Sequence, residues 1–259
     1  MQLGLDGRYA IVCASSMGLG KACATALARE GCSVVINGRD GQRLRAAVAD
    51  IKTVAKAAVA GVAADINTEE GRRKLIAACP AADILVNNNG GPPPGSFETW
   101  SEADWLDALN ANLLAPVFMI KALLPGMRAR QFGRIVNVTS ARVKTPTARM
   151  GLSASARAGL TALCKGLSIE VAADNVTINN LLPERIATER HRFMVAEIVA
   201  RERISAHEAE SRIAEGLPAK RLGTPEEVGD ACAYLCSAQA GFISGQNLQL
   251  DGGSYRGLI

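Results

Sequence analysis

The sequence is poor in the side chains that most often carry protons. Its 259 residues include three tyrosines and two histidines, and aromatics make up only 4%. With so few histidines and no CxxC pair, no metal-ligating cluster is expected. The seven cysteines are Cys13, Cys23, Cys32, Cys79, Cys164, Cys232 and Cys236. Odd in number and set in apolar stretches, they read as buried reduced thiols and not as a disulfide framework. Charge is not gathered into blocks either: the net charge of +4 is spread along the chain, so no basic stripe for nucleic acid is expected. No run reaches the roughly 20 apolar residues of a membrane span, and the start MQLGLDGR lacks the apolar core of a secretory signal. These absences lead to the expectation of a cytoplasmic protein with a small-molecule substrate, no nucleic acid, no membrane and no metal.

What is present is a hydrophobic, Ala- and Gly-rich chain, 48% apolar with mean hydropathy +0.11. That length and composition suit one domain spanning 1–259. Tyr9–Ala14 is a short apolar run that reads as a buried strand. It opens into Ser15-Ser16-Met17-Gly18-Leu19-Gly20 and then an Ala-rich helix from about Lys21 to Glu30. A strand, a turn of small residues and a helix start form a phosphate cradle, because backbone N–H groups and the helix dipole face the anion there. Ala14 adds a methyl to this turn, and a negative φ is therefore expected at that residue.

A second strand, Ser33–Asn37, ends in Gly38-Arg39-Asp40. An NAD site would place an acid there for the ribose 2′-hydroxyl, whereas Arg39 suits a 2′-phosphate, so NADP is favoured over NAD. Then follow a helix over 40–54, a strand over 58–64 ending in Asp65-Ile66, and a helix over 68–79. Asp83–Gly91 carries an apolar strand into Asn87-Asn88-Asn89-Gly90-Gly91, with a rigid Pro-rich loop over 92–95. Helical periodicity over 102–130 contains Asn110-Ala111-Asn112-Leu113, and Pro116 marks a local break. A β-branched strand over 134–139 leads to Ser140 and a helix over 153–173. Another strand, 176–183, precedes a charged helical stretch over 189–216.

On these motifs the chain resembles the short-chain dehydrogenase/reductase family over about residues 5–255, including the tail Arg221–Val228 and Asp251-Gly252-Gly253. The resemblance implies a single Rossmann-type, doubly wound α/β domain with a parallel sheet and a helical substrate lid at about 186–216. It implies cofactor contacts from Ala14, Ser15, Ser16, Gly18, Leu19 and Gly20, from Asn37 and Arg39, from Asp65 and Ile66, from Asn88, Asn89 and Gly90, and from Pro183, Ile186 and Thr188. It also implies a homotetramer or homodimer built on the helices over 102–130 and 153–173.

The family's catalytic positions fall on Asn112, Ser140, Ser153 and Arg157, but the last two replace the family's Tyr and Lys. Cys13-Ala14, Asn89 and Glu184 depart from the Thr-Gly, Ala and Gly of the pattern. In the family the Tyr gives a proton to the forming alkoxide and the Lys lowers its pKa. A serine hydroxyl is a far weaker acid, and arginine does not release its proton. Ser153 with Arg157 suits holding an oxyanion or a carboxylate. Tyr9 and Tyr234 are expected away from the site, and Tyr255 to reach one only from a neighbouring subunit. Lys144 and His191 are the other proton carriers. Arg142, Lys144 and Arg149, in the loop after Ser140, hint at an anionic substrate, with Glu184 beside them.

The functional reading is an NADP(H)-dependent oxidoreductase acting on a small, anionic carbonyl or alcohol compound through an altered proton path. The alternatives are a nonredox isomerase, lyase or dehydratase on the same scaffold, or an inactive cofactor-binding subunit.

Overall fold

The computed structural model describes residues 2–258. Seven parallel strands form one sheet in the order β3-β2-β1-β4-β5-β6-β7. They are β1 (Tyr9–Val12), β2 (Ser33–Gly38), β3 (Val59–Ala63), β4 (Ile84–Asn87), β5 (Gly133–Val138), β6 (Val176–Pro183) and β7 (Asn247–Leu250). The helices are α1 (Gly18–Arg29), α2 (Gly41–Lys52), α3 (Glu69–Ala77), α4 (Glu102–Leu109), α5 (Ala115–Ala129), α6 (Gly151–Glu170), α7 (Glu189–Glu202), α8 (Ala206–Glu215) and α9 (Pro225–Cys236). This is the expected doubly wound α/β architecture. The inner strands β1, β2, β4, β5 and β6 are buried on both faces, which is why they are mostly apolar, while the edge strands β3 and β7 are partly exposed.

Alternation along each strand feeds two cores. Ala10 and Val12 of β1, with Ile84 and Val86 of β4, pack with Leu27 of α1, Ile51 of α2 and Val228 of α9. Ile11 and Leu85 point the other way and pack with Leu75 of α3, Met119 and Leu123 of α5, and Leu160 of α6. All seven cysteines are buried and free, as their sequence setting implied. Burial pushes the Cys13 thiol up to about 12, so it stays protonated.

A line of amides crosses four strands. Asn87, Asn137, Asn180 and Asn247 occupy matched register positions. Asn87 donates to Asn137 at 2.9 Å, Asn137 to Asn180 at 2.9 Å, and Asn180 to Asn247 at 2.8 Å. The Asn-rich end of β4 is thereby fastened across the sheet to β5, β6 and β7.

The break expected in the helix over 102–130 is a π turn at Asn110–Leu114, in which the Ala115 N–H bonds the Asn110 carbonyl. Pro116 explains the break, because it has no N–H to give the Asn112 carbonyl four residues back. The lid stretch over 189–216 is two helices, parted at Arg203, whose φ is 56°. Contrary to the expectation of no spanning run, Glu102–Ala129 holds an 18-residue window of mean hydropathy 1.4, long and apolar enough to cross a membrane. Here that apolarity serves the core: Met119, Ile120, Leu123 and Met127 are buried beneath the sheet. Strand β7, Asn-Leu-Gln-Leu, carried no clear strand signal because half of its residues are amides.

Candidate active site

The carboxyl ends of β1, β4, β5 and β6 open on one side of the sheet, where ligands of such folds bind. The turn after β1 is held from behind. Ser15 is fully buried, with its hydroxyl donated to the Val12 carbonyl at 2.6 Å and accepting the Asn37 N–H. Asn37 accepts the Ala14 N–H and donates to the Val62 and Ala64 carbonyls. Asn88 donates to the Ala14 carbonyl at 3.0 Å. These side chains are consumed in shaping the turn, so what they offer a cofactor is position and backbone.

Ala14 contradicts its expectation: its φ is +44°. The hydrogen bonds on both its sides force the left-handed conformation that glycine adopts freely, and the methyl is strained there. Glycine at 20 is required by contact, since a Cβ would stand 2.5 Å from the Ala14 carbonyl oxygen. Gly18 and Gly90 face open space. The start of α1 has neither a side-chain cap nor an acid in its first turn. Exposed N–H groups, room for a close approach and an uncapped helix start fit a pyrophosphate. Ser16 and Leu19, half-buried, lie on this turn.

Arg39 is exposed at the end of β2, and among the described residues it has no carboxylate partner. Asp65 is half-buried and caps the Asn67 N–H. Ile66 is buried in the second core. Pro183 at the end of β6 and Ile186 beyond it are half-buried, and Ile186 bridges Gly223. Thr188 stands at the start of α7. Glu184 takes the family's glycine position without strain: it continues the strand by donating its N–H to the Leu250 carbonyl, and the left-handed residue is Arg185.

The candidate catalytic positions lie about the ends of β4 and β5 and on the helices packed there. Ser140 ends β5, half-buried, and its Oγ accepts the Arg142 N–H at 3.2 Å. Asn112, placed by the π turn and 2% exposed, donates to the Gly90 carbonyl at 3.3 Å. Its Oδ1 has no partner among the described residues. Asn89 donates to the Asn67 side chain and the Ala111 carbonyl, which explains a polar residue where the family has Ala. Ser153 and Arg157, one turn apart on α6, are both buried. Arg157 donates through Nε to Ser153 Oγ at 3.2 Å, through Nη1 to the Val138 carbonyl at 2.8 Å, and through Nη2 to the Asn89 carbonyl at 3.2 Å. Its guanidinium therefore ties α6 to the ends of β5 and β4. Burial, aided by the positive charge of Arg190, pushes Arg157 down to about 10, which leaves it cationic at neutral pH.

The loop basic residues behave differently from one another. Arg142 is ion-paired with Glu184, so its charge is spent, and the expectation that it serves an anion is corrected. Arg149 is exposed. Lys144 has no carboxylate partner among the described residues, and its Nζ lies 4.9 Å over the ring of Tyr255 of the same chain. Tyr255 therefore approaches this loop within its own subunit, where a neighbour's copy was expected. Tyr9 and Tyr234 lie at the start of β1 and on α9, as expected. His191 is 5% exposed, with no partner for Nε2 among the described residues. Burial, with the positive charge of Arg185, holds its pKa below the usual histidine value. Sequence reasoning missed Arg190. It donates to the Gly91 and Pro92 carbonyls and so brings the lid against the Pro-rich loop. Nothing in its helical pattern marked it among the other lid arginines.

A family model described as Enoyl-(Acyl carrier protein) reductase matches residues 13–255. The chain belongs to the short-chain dehydrogenase/reductase family. Within that family it is 34% identical to the NADPH-dependent reductase BacG of Bacillus subtilis, over 98% of this chain and 100% of that protein. It is 30% identical to the 3-oxoacyl-[acyl-carrier-protein] reductase FabG of Aquifex aeolicus, over 98% of this chain and 100% of that protein. The crystal structure of L-sorbose reductase from Gluconobacter frateurii, complexed with NADPH and L-sorbose, superposes with a TM-score of 0.94. It is 30% identical and covers 100% of both chains. The strand order and the glycine turn described above are those of a short-chain dehydrogenase/reductase.

Proposed function

We propose that this protein is an NADP(H)-dependent oxidoreductase that interconverts a small carbonyl compound and its alcohol by an altered proton path. The observation that carries the reading is the turn at Ala14–Gly20, pinned at Ala14 by Asn37 and Asn88, with Arg39 at the neighbouring strand end lacking a carboxylate partner among the described residues. The NADPH named for BacG and for the sorbose reductase complex supports the same cofactor here. The turn and the start of α1 would hold the pyrophosphate, and Arg39 the 2′-phosphate. Bound NADP(H) supplies or accepts the hydride.

The chain's own residues supply the rest. Ser140 accepts a backbone N–H, which leaves its hydroxyl hydrogen for the substrate's carbonyl oxygen. Arg157 sets a fixed positive charge beside this point, and a preorganised charge in a dry site lowers the barrier to forming an oxyanion. The proton that completes the alcohol comes from Lys144, four residues past Ser140 and free of any carboxylate partner among the described residues. Pro92–Gly95 and α7, joined through Arg190, keep water from the reacting centre.

Assembly as a homotetramer or homodimer through α5 and α6 accompanies this reading. The supporting observation is an apolar groove of about 530 Å³ along those helices, lined by Val117, Ile120, Leu124, Pro125, Leu163 and Leu167.

The test is a fluorescence titration with NADPH and NADH, followed by NADPH oxidation against a panel of ketones and oxo acids. Micromolar NADPH binding, much weaker NADH binding and consumption of NADPH are expected. Failure to bind either nucleotide overturns the reading. Substrate conversion at constant NADPH would instead mark a nonredox enzyme, and tight binding without turnover an inactive subunit.

A further inference from the structure

Among the described residues, most side-chain cations that are not at the open surface have a carboxylate or a full set of carbonyl acceptors. Arg134, for example, is 2% exposed and is satisfied by the Ser237, Gly133 and Asn175 carbonyls. Arg157 is buried, and exposed Arg190 at the start of α7 lies beside it. Neither has an ion pair among the described residues, and each lies close enough to the other to oppose its charge. Two guanidinium groups without a counter-ion, one of them withdrawn from water, are costly unless an anion joins them.

The space between them has a definite shape. A methyl built on Gly91 would lie 3.5 Å from Arg157 Nη2, 3.5 Å from Ser153 Oγ and 3.9 Å from Arg190 Nη2, and nearer to nothing else outside its chain neighbours. Three donors thus surround one open point. Ser153 Oγ already accepts from Arg157 Nε, so its hydroxyl hydrogen is directed elsewhere, and it has no acceptor among the described residues. Arg157 uses three of its five N–H groups on protein acceptors. Backbone carbonyls of Asn89, Gly91 and Pro92 hold both guanidinium groups in place, so little side-chain order remains to be bought on binding.

We infer that Ser153, Arg157 and Arg190 form a carboxylate-binding site at Gly91, and that the substrate is an oxo acid whose carboxylate sits there while its carbonyl faces Ser140. The inference rests on the proposed oxidoreductase reading for the carbonyl half, and on the donor cluster alone for the carboxylate half. It gives the departures from the family's Tyr and Lys a positive role: the pair that would have handled a proton holds a charge instead. A planar carboxylate matches guanidinium N–H groups in a way that a ketone or hydroxyl does not.

The test uses the full chain and acetate, a bare carboxylate small enough to need only these donors, with acetamide as its neutral match. At constant ionic strength, acetate at roughly tenfold above its Kd should raise the melting temperature by about 2–4 °C, and acetamide should not. Gly91→Ala places its methyl at ordinary contact distance, so the protein should fold as before and lose the acetate shift. Arg190→Gln, at an exposed residue, should lose most of it. No acetate shift, or one that survives both Gly91→Ala and Arg190→Gln, overturns the site. NADPH titration of the same samples keeps the two readings apart. Without nucleotide binding the oxidoreductase reading fails even if acetate binds. With nucleotide binding and no acetate effect, the carboxylate site alone fails.

Discussion

Replacing Ala14 by glycine should stabilise the protein, although it removes a methyl group. The φ of +44° places Ala14 in the left-handed region, which costs a residue with a Cβ about 1–2 kcal/mol. The turn cannot relax, because the Ala14 N–H is held by Asn37 at 3.2 Å and its carbonyl by Asn88 at 3.0 Å. Glycine removes the strain but adds about 0.5–1 kcal/mol of backbone freedom to be lost on folding. The net gain is about 0.5–1 kcal/mol, or about 1–3 °C in melting temperature for a chain of this size. Differential scanning fluorimetry at matched protein concentration would measure it. Gly20→Ala is the opposing control: its Cβ would meet the Ala14 carbonyl oxygen at 2.5 Å and the Asn88 amide at 2.7 Å. It should unfold early and lose NADPH affinity. If Ala14→Gly left the melting temperature unchanged or lowered it, Ala14 would not be strained, and the account of this turn would be wrong.

Three further outcomes are expected. Arg39→Ala should weaken NADPH by on the order of 10–100-fold, the worth of a hydrogen-bonded charge pair, and leave NADH little changed in a titration. Asn137→Ala should cost about 3 kcal/mol, because it strands both Asn87 and Asn180 in a buried row. Its melting temperature should fall by about 6–12 °C. His191 has a folded pKa below its unfolded value, so the unfolded chain binds the extra proton first and stability drops as pH falls through about 6.5. Melting curves between pH 7.5 and 5.5 should show that drop, reduced in His191→Leu, and an unchanged slope in the variant would remove His191 as its cause.

The strand and helix sequence was legible because each buried strand is a short apolar run and each helix has its own period. The apolar runs within Tyr9–Val12, Ile84–Asn87 and Gly133–Val138 need no tertiary information to be read as strands. The turn residue Gly20 was legible from the strand–turn–helix pattern, whereas Asn88, Ser140 and Asn112 were picked out only by the resemblance to the family. The site was misread where the outcome depended on a partner distant in sequence. Ala14 was expected at negative φ, and Asn37 and Asn88, 23 and 74 residues away, force it positive. Arg142 read as a free cation until the fold brought Glu184 to it across 42 residues.

Local pattern alone therefore determined a parallel α/β domain with a glycine-containing turn after the first strand and an arginine at the second strand's end. Periodicity and turn chemistry act over a few residues, and those features are local. Only the tertiary structure decided which charges are spent and which are left unpaired. Glu184 neutralises Arg142, Tyr255 folds back over Lys144, and the lid carries Arg190 to face Arg157 at Gly91. Coulomb interactions and desolvation depend on distance in space, and the chain order holds no record of it.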